Sequence, residues 1–137
     1  MSYISAFDPS EDKKRNLASK ILYISESVIK FFWDDAPRLG IQQREGQQDM
    51  AFDVLDAIKS GSHVVIEAGV GIGKSFAYLV PILLYNAKTF SPVVIATSTI
   101  ALQEQLLSDM ELLKKWLRLD PDLILAKGKN HIFVSKM

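Results

Sequence analysis

Residues 63–75 decide the fold of this chain and read HVVIEAGVGIGKS. The stretch opens with a β-branched run at residues 63–67, which predicts a short buried strand. A glycine-rich loop follows, and an apolar helix is expected from about Lys74 to Asn86. The loop fits the phosphate-binding pattern G-x-x-x-x-G-K-[ST], except that Ala68 replaces the first glycine. Because strand, loop and helix occur in the order that this motif requires, we favour it over a chance glycine-rich turn followed by Lys-Ser.

The residue types of the loop explain how it would hold a nucleotide, and they indicate ATP with Mg²⁺. Glycines allow backbone conformations in which successive amides converge on phosphate oxygens, and the start of the next helix adds free amides. Lys74 supplies a positive charge for the β- and γ-phosphates, and the Ser75 hydroxyl supplies a ligand for Mg²⁺. The predicted phosphate-binding residues are Ala68, Gly69, Val70, Gly71, Ile72, Gly73, Lys74 and Ser75.

Two helices are predicted before this stretch. A capping box at residues 8–11 starts the first helix, and residues 34–37 with Gly40 should end it. Its apolar stripe consists of Leu17, Ile21, Ile24, Val28 and Phe31. The second helix is predicted over residues 44–60, with Gly61 at its C-terminal end.

After the loop, strands are predicted at residues 93–97 and 123–126, and a long helix is predicted from Ser98 or Thr99 to Leu117. Pro81 should kink or break the helix that begins at Lys74. The order α-α-β-α-β-α-β predicts an α/β fold with a parallel sheet and right-handed crossovers.

Composition excludes several classes of protein. The chain has 137 residues, 48% of them hydrophobic, and its 16 basic and 16 acidic residues balance, which argues against intrinsic disorder. It has no cysteine, so a disulfide framework and a thiolate-ligated zinc or iron–sulfur site are not expected in this chain. Since no long apolar run and no secretory leader are apparent, we expect a soluble, cytoplasmic protein.

The zero net charge hides an uneven distribution. Residues 34–67 contain seven acidic and three basic residues, whereas residues 114–137 contain six basic and two acidic residues. The basic end raises the expectation of nucleic-acid binding.

Four motifs together resemble the N-terminal ATPase part of DinG-type helicases, the bacterial relatives of XPD in helicase superfamily 2. Arg44-x-x-Gln47 resembles the Q motif, and residues 67–75 followed by residues 77–81 (AYLVP) resemble motif I. The pattern Thr97-x-Thr99-x-x-Leu102-x-x-Gln105 resembles motif Ia, and residues 127–130 (KGKN) resemble the stretch before the family's iron–sulfur insertion. The resemblance covers about residues 44–130.

The resemblance implies a P-loop NTPase of the RecA-like, three-layer type that is incomplete in this chain. It divides the chain into an N-terminal helical segment, residues 1–37, and a partial ATP-binding domain, residues 38–137. It implies that Arg44 and Gln47 lie at the adenine. It also implies that single-stranded DNA contacts Thr97, Thr99, Gln105, Lys127 and Lys129.

Each of these roles has a structural alternative. Gln47 could be a surface residue of a helix, and Thr97 and Thr99 could merely end a strand and cap a helix. Lys127 and Lys129 could belong to a solvated basic tail.

The sequence also departs from the family. Hydrolysis needs a carboxylate on Mg²⁺ and a group that positions water, normally an Asp-Glu pair after a later strand, and no such pair is present. The second RecA-like domain with its arginine finger is absent, and Val134 stands about where the first cluster cysteine would be. We therefore expect this chain alone to bind ATP weakly and to hydrolyse none.

Two rival hypotheses remain at this stage. The chain could be a small regulatory P-loop module, for which Glu67 is the nearest acid that could serve Mg²⁺. It could also be a non-functional remnant of a helicase gene, which predicts poor solubility because sheet edges would be exposed.

Overall fold

The computed structural model describes residues 9–69, 73–126 and 132–136. In this part of the chain the helices are α1 (Pro9–Lys30), α2 (Ala36–Arg38), α3 (Gln47–Ser60), α4 (Lys74–Thr89) and α5 (Ile100–Leu117), and a π-helical turn, Phe31–Asp35, joins α1 to α2. The strands are β1 (Val93–Ala96), β2 (Asp122–Ala126) and β3 (Ile132–Lys136). None of the described helices is long and apolar enough to cross a membrane.

The first helix continues further than the sequence predicts. Residues 34–37 do not end it, because the chain stays helical through the π-helical turn to Arg38, whereas Gly40, the other predicted stop, follows two residues later with a left-handed φ of 75°. The π turn ends the regular hydrogen-bond ladder, so Pro37 falls in the first turn of α2, where its missing amide costs little. Lys30 and Asp35, five residues apart, form an ion pair across this turn at 2.7 Å. The predicted Asp8 cap lies outside the described residues.

The core is built from four helices rather than from a sheet. α1 contributes Ile24 and Val28 and the π-helical turn contributes Phe31, and these residues pack in one cluster with residues of α3, α4 and α5. The other fully buried apolar residues of this cluster include Ala51, Leu55, Leu79, Val80, Leu83, Leu106, Met110 and Leu113. The predicted stripe of the first helix is confirmed at Ile24, Val28 and Phe31, whereas Leu17 at its start and Leu102 in the first turn of α5 are each 52% exposed.

Helix α4 runs through Pro81 without a break, and Pro81 is buried. Of the two expected consequences of this proline, a break is therefore excluded. α4 also packs against α1, α3 and α5, so tertiary packing holds the helix where local propensity opposes it.

The observed strand pairs are antiparallel, and the predicted parallel pairing is not confirmed. β3 lies between β1 and β2 and pairs antiparallel with both. Phe133 of β3 lies opposite Ile95 of β1 on one side and opposite Leu125 of β2 on the other. β1 and β2 thus run in the same direction but do not pair with each other. The sequence reasoning did not predict β3, and this strand changes the sheet.

The strand predicted at residues 63–67 is not formed. Residues 62–69, called here the 62–69 segment, have no regular structure, and Val65 is 99% exposed. β-propensity mainly reflects a fit to a pleated, half-buried surface next to other strands. Because the described strands pair only among themselves, the 62–69 segment has no strand neighbour in this part of the chain.

Candidate nucleotide-binding site

The start of α4 lies where the sequence predicts phosphate binding. Gly73 is the N-cap residue of α4, with a left-handed φ of 71°, and no side chain caps the first turn. The first amides of the helix are thus left as the free donors that bind an anion at a helix N-terminus. Lys74 follows directly and is exposed. This arrangement fits a nucleotide phosphate, although Val70, Gly71 and Ile72 lie outside the described residues.

The predicted adenine-binding residue is joined to this loop. Gln47 begins α3, is only 4% exposed, and its Nε2 donates a hydrogen bond to the Gly73 carbonyl at 3.1 Å. The alternative that Gln47 is a surface residue is therefore wrong. The positive φ favours glycine at this position, and a Cβ atom there would overlap the Gln47 amide and displace that side chain from its hydrogen bond.

The loop before α3 is fixed by a residue that the sequence did not single out. Gln43 Nε2 donates to the Phe32 carbonyl of the π-helical turn at 2.5 Å. Arg44 follows in an exposed position, and its carbonyl accepts from the Gln47 amide at 3.1 Å. No periodicity in the sequence identifies a side chain that binds a backbone carbonyl eleven residues away, so this contact appears only in the folded chain.

A short polar chain extends from the predicted Mg²⁺ ligand toward α5. The hydroxyl of Ser75 is hydrogen-bonded to that of Tyr78, one helical turn later. Burial raises the pKa of Tyr78, the Ser75 bond partly opposes this, and the nearby Asp109 carboxylate raises the pKa further. Asp109 is buried and accepts from Gln105 Nε2 at 3.0 Å. A hydroxyl has two acceptor lone pairs, so Ser75 can keep this bond and still offer a lone pair to a cation.

The predicted DNA-contact threonines hold the start of α5. Thr99 is the N-cap residue of α5, and its hydroxyl accepts from the Leu102 amide at 3.2 Å. Thr97 donates from its hydroxyl to the Thr99 carbonyl at 3.1 Å. The capping alternative therefore describes a real contact, and both hydroxyls already have partners within the turn. Lys127 and Lys129 lie outside the described residues.

An acidic recess of about 570 Å³ lies beside the loop, between the start of α3 and residues 66–69. Its lining includes Ala68 and Gly69 and the acidic residues Glu45, Asp49, Asp53 and Glu67. In the described ranges, no group of three or more histidine or acidic side chains converges closely enough to hold a metal ion. Glu67 is exposed here, as are Asp49 and Asp53.

Gly73, Lys74 and Ser75 lie at the start of α4, where no side chain caps the helix, and the buried Gln47 of α3 bonds to Gly73. A glycine followed by Lys-Ser at a helix start is the arrangement of a P-loop NTPase. Comparison with known families agrees, because residues 46–132 match the DEAD/DEAH box helicase family. The match covers well over half of the chain, and the chain belongs to this family.

Individual relatives are DinG-type helicases, which confirms the resemblance seen in the motifs. The chain is 38% identical over 120 residues to the ATP-dependent helicase DinG of Mycobacterium tuberculosis, covering 83% of this chain and 18% of that protein. It is 41% identical over 93 residues to the ATP-dependent DNA helicase YoaA of Escherichia coli, covering 67% of this chain and 14% of that protein.

A third relative carries a different name. The chain is 36% identical over 93 residues to the 3'-5' exonuclease DinG of Bacillus subtilis, covering 67% of this chain and 10% of that protein. The chain thus spans less than a fifth of the length of these relatives. No solved structure matches it significantly.

Proposed function

We propose that this chain is the N-terminal ATP-binding part of a DinG-like ATP-dependent DNA helicase. In the longer parent, ATP hydrolysis would drive translocation on single-stranded DNA and unwinding. The observation that carries the proposal is the hydrogen bond from Gln47 to Gly73, which joins the predicted adenine-binding residue to the predicted phosphate loop.

In this proposal, phosphates bind at residues 68–75, with Lys74 neutralising charge and Ser75 holding Mg²⁺. Gln47 and Arg44 recognise the adenine. Because one Gln47 N–H already binds Gly73, the second N–H and the carbonyl oxygen remain for the base. ATP with Mg²⁺ would supply the phosphoryl-transfer chemistry, and this chain's residues would bind and orient it.

We further propose that residues 38–137 form part of a RecA-like domain and that residues 1–37 form a helical extension of it. Support comes from the core, since α1 packs against α4 in the same hydrophobic cluster. Thr97, Thr99 and Gln105, with Lys127 and Lys129, would contact single-stranded DNA. The second RecA-like domain and the hydrolytic carboxylates would come from the rest of the parent.

Titration of the purified chain with a fluorescent ATP analogue, with and without Mg²⁺, tests this proposal. Wild type should bind weakly, Lys74→Ala should bind at least tenfold more weakly, and Lys59→Ala, an equally exposed charge change on α3, should match wild type. No ATP turnover is expected. Turnover that Lys74→Ala abolishes would contradict the claim of incompleteness, and tight binding by a stable monomer would favour the regulatory P-loop module instead.

A further inference from the structure

A second recess shares no lining residue with the P-loop and is rich in basic residues. It has a volume of about 630 Å³ and lies between the end of α1, the π-helical turn, α2 and the C-terminal turn of α5. We call it the basic groove, and its charged lining residues are Lys30, Arg38, Lys115, Arg118 and Asp35. Leu84 and Trp116 contribute apolar surface to its wall.

The charges of the basic groove do not cancel. Four cations face one carboxylate, and Asp35 is already bonded through both oxygens to Lys30, at 2.7 and 2.8 Å. Arg38, Lys115 and Arg118 form no ion pair with a described residue. Lys88 adds a further positive charge at the rim, because its Nζ lies 3.7 Å from the ring centre of Tyr23, a lining residue.

Helix dipoles explain only part of this accumulation. Two helix C-termini, that of α2 and that of α5, end at the groove, and each carries the equivalent of about half a negative charge. Together they offset about one of the three net positive charges of the lining, so about two remain uncompensated.

The backbone at Arg118 supports a role for its side chain. Arg118 ends α5 in the left-handed conformation, with φ of 54°, where glycine is the favoured residue. A non-glycine residue is strained there. The protein thus places a guanidinium in the groove at a position where stability alone would favour glycine.

The groove is spatially separate from the predicted DNA contacts of motif Ia. Thr99 caps the start of α5, whereas Lys115 and Arg118 lie at its end. A helix of this length spans about 27 Å, so one site cannot serve both ends of α5 through the same phosphate.

We propose that the basic groove binds the phosphate backbone of single-stranded nucleic acid at a site additional to motif Ia. Guanidinium groups donate in a planar fork that matches phosphate oxygens, and two of the four cations are arginines. A recess suits a single strand, whose phosphates and sugars can enter it against Trp116, better than the convex surface of a duplex. The inference does not depend on the P-loop being active.

Fluorescence anisotropy with a labelled oligothymidylate, using the full chain over a range of salt concentrations, tests the proposal. For single strands, log K changes with log[salt] by about −0.7 per phosphate neutralised. Lys115→Gln with Arg118→Gln should therefore make the slope shallower by about 1.4 and weaken binding about tenfold or more at low salt. The matched control, Lys13→Gln with Lys59→Gln, removes two exposed charges outside the groove and should leave both values unchanged.

Arg118→Gly separates binding from folding. It should weaken oligonucleotide binding while keeping or raising thermal stability, because glycine removes the strain of the left-handed backbone. In a Gln105→Ala background, the groove substitutions should change the salt dependence of oligothymidylate binding by the same amount as in wild type. A loss of binding through motif Ia can therefore be distinguished from a loss of binding in the groove.

Three results would overturn the proposal. One is absence of oligothymidylate binding by wild type at low salt, and another is equal loss of binding in the groove variant and in its control. The third is equal or tighter binding to a duplex of the same length or to polyglutamate, which would indicate a different ligand. Preference for the single strand together with loss only in the groove variants supports it.

Discussion

The helical layer and the 62–69 segment differ sharply, although the sequence predicts regular structure for both. The apolar stripes of α1, α3, α4 and α5 are buried against one another, and Val28, Leu79 and Leu113 are fully inaccessible. The 62–69 segment contains a β-branched run that favours a strand, yet Val64 and Val65 are exposed. A helix completes its hydrogen bonds within itself, whereas a strand needs a partner.

The two helices next to the 62–69 segment, α3 and α4, leave apolar surface uncovered beside it. An apolar recess of about 360 Å³ lies between α3 and α4, lined in part by Val54, Ile58, Ile82 and Val64. The apolar surface of both helices therefore extends beyond what the described chain covers. Burial of one face is sufficient to stabilise α3 and α4. Contact with these helices is not sufficient to make the 62–69 segment a strand.

The largest expected effect contrasts one residue from each region. Leu83→Ala removes a fully buried side chain of α4 and should lower the free energy of unfolding by about 2–5 kcal/mol. Val65→Ala should change it by less than about 0.5 kcal/mol, because the side chain is exposed. Urea denaturation followed by circular dichroism measures both, and comparable losses would show that the 62–69 segment is packed in solution.

Gly73→Ala tests the junction between the two regions. The substitution should cost about 1–2 kcal/mol for the left-handed φ and a further 0.5–1.5 kcal/mol, roughly, for the lost Gln47 hydrogen bond. Gly61→Ala is the matched control, because Gly61 also has a positive φ of 65° but has open space around its Cβ position. Thermal denaturation should therefore show the larger loss for Gly73→Ala.

A double variant sharpens this comparison. With Gln47→Ala in the background, the additional cost of Gly73→Ala should fall to that of Gly61→Ala, because the overlapping side chain is gone. If Gly73→Ala lowered the stability by the same amount with and without Gln47→Ala, Gln47 would not contact residue 73 in solution.

The smallest effect concerns the polar chain between α4 and α5. Tyr78→Phe should lower stability at neutral pH by about 0.5–1.5 kcal/mol, since the bond to Ser75 is lost. The pKa of Tyr78 is raised in the folded chain, so the contribution of this raised pKa to stability is fully present below the unfolded tyrosine pKa of about 10 and is lost as the pH rises through the folded pKa.

This alkaline loss gives the variant a signature. The free energy of unfolding of wild type should exceed that of Tyr78→Phe by less above about pH 10, because ionisation of Tyr78 stabilises the unfolded wild type there. Stability curves at neutral and alkaline pH check this, and a constant difference would exclude Tyr78 as the titrating group.

Much of the site could be predicted from sequence because it depends on local residue types. The pattern around Gly73 and Lys74 correctly placed the start of α4, and of the two predicted caps of α5, Ser98 or Thr99, the structure has Thr99. The contact of Gln43 with Phe32 was not predictable, since it joins a loop to a carbonyl that the π-helical turn positions. Roles of the site residues in binding ATP or DNA stay predictions.

The sequence by itself determined approximately where α3, α4 and α5 lie, which residues of α1 face the core, and that glycines occur at the end of α3 and in the loop before α4. These features follow from periodicity, capping and backbone sterics, all of which act over a few residues. Only the tertiary structure decided that the chain stays helical after α1 as far as Arg38, that β3 pairs antiparallel between β1 and β2, and that residues 63–67 remain unpaired. Strand pairing joins residues distant in sequence, so a strand's own composition cannot specify whether a partner is present.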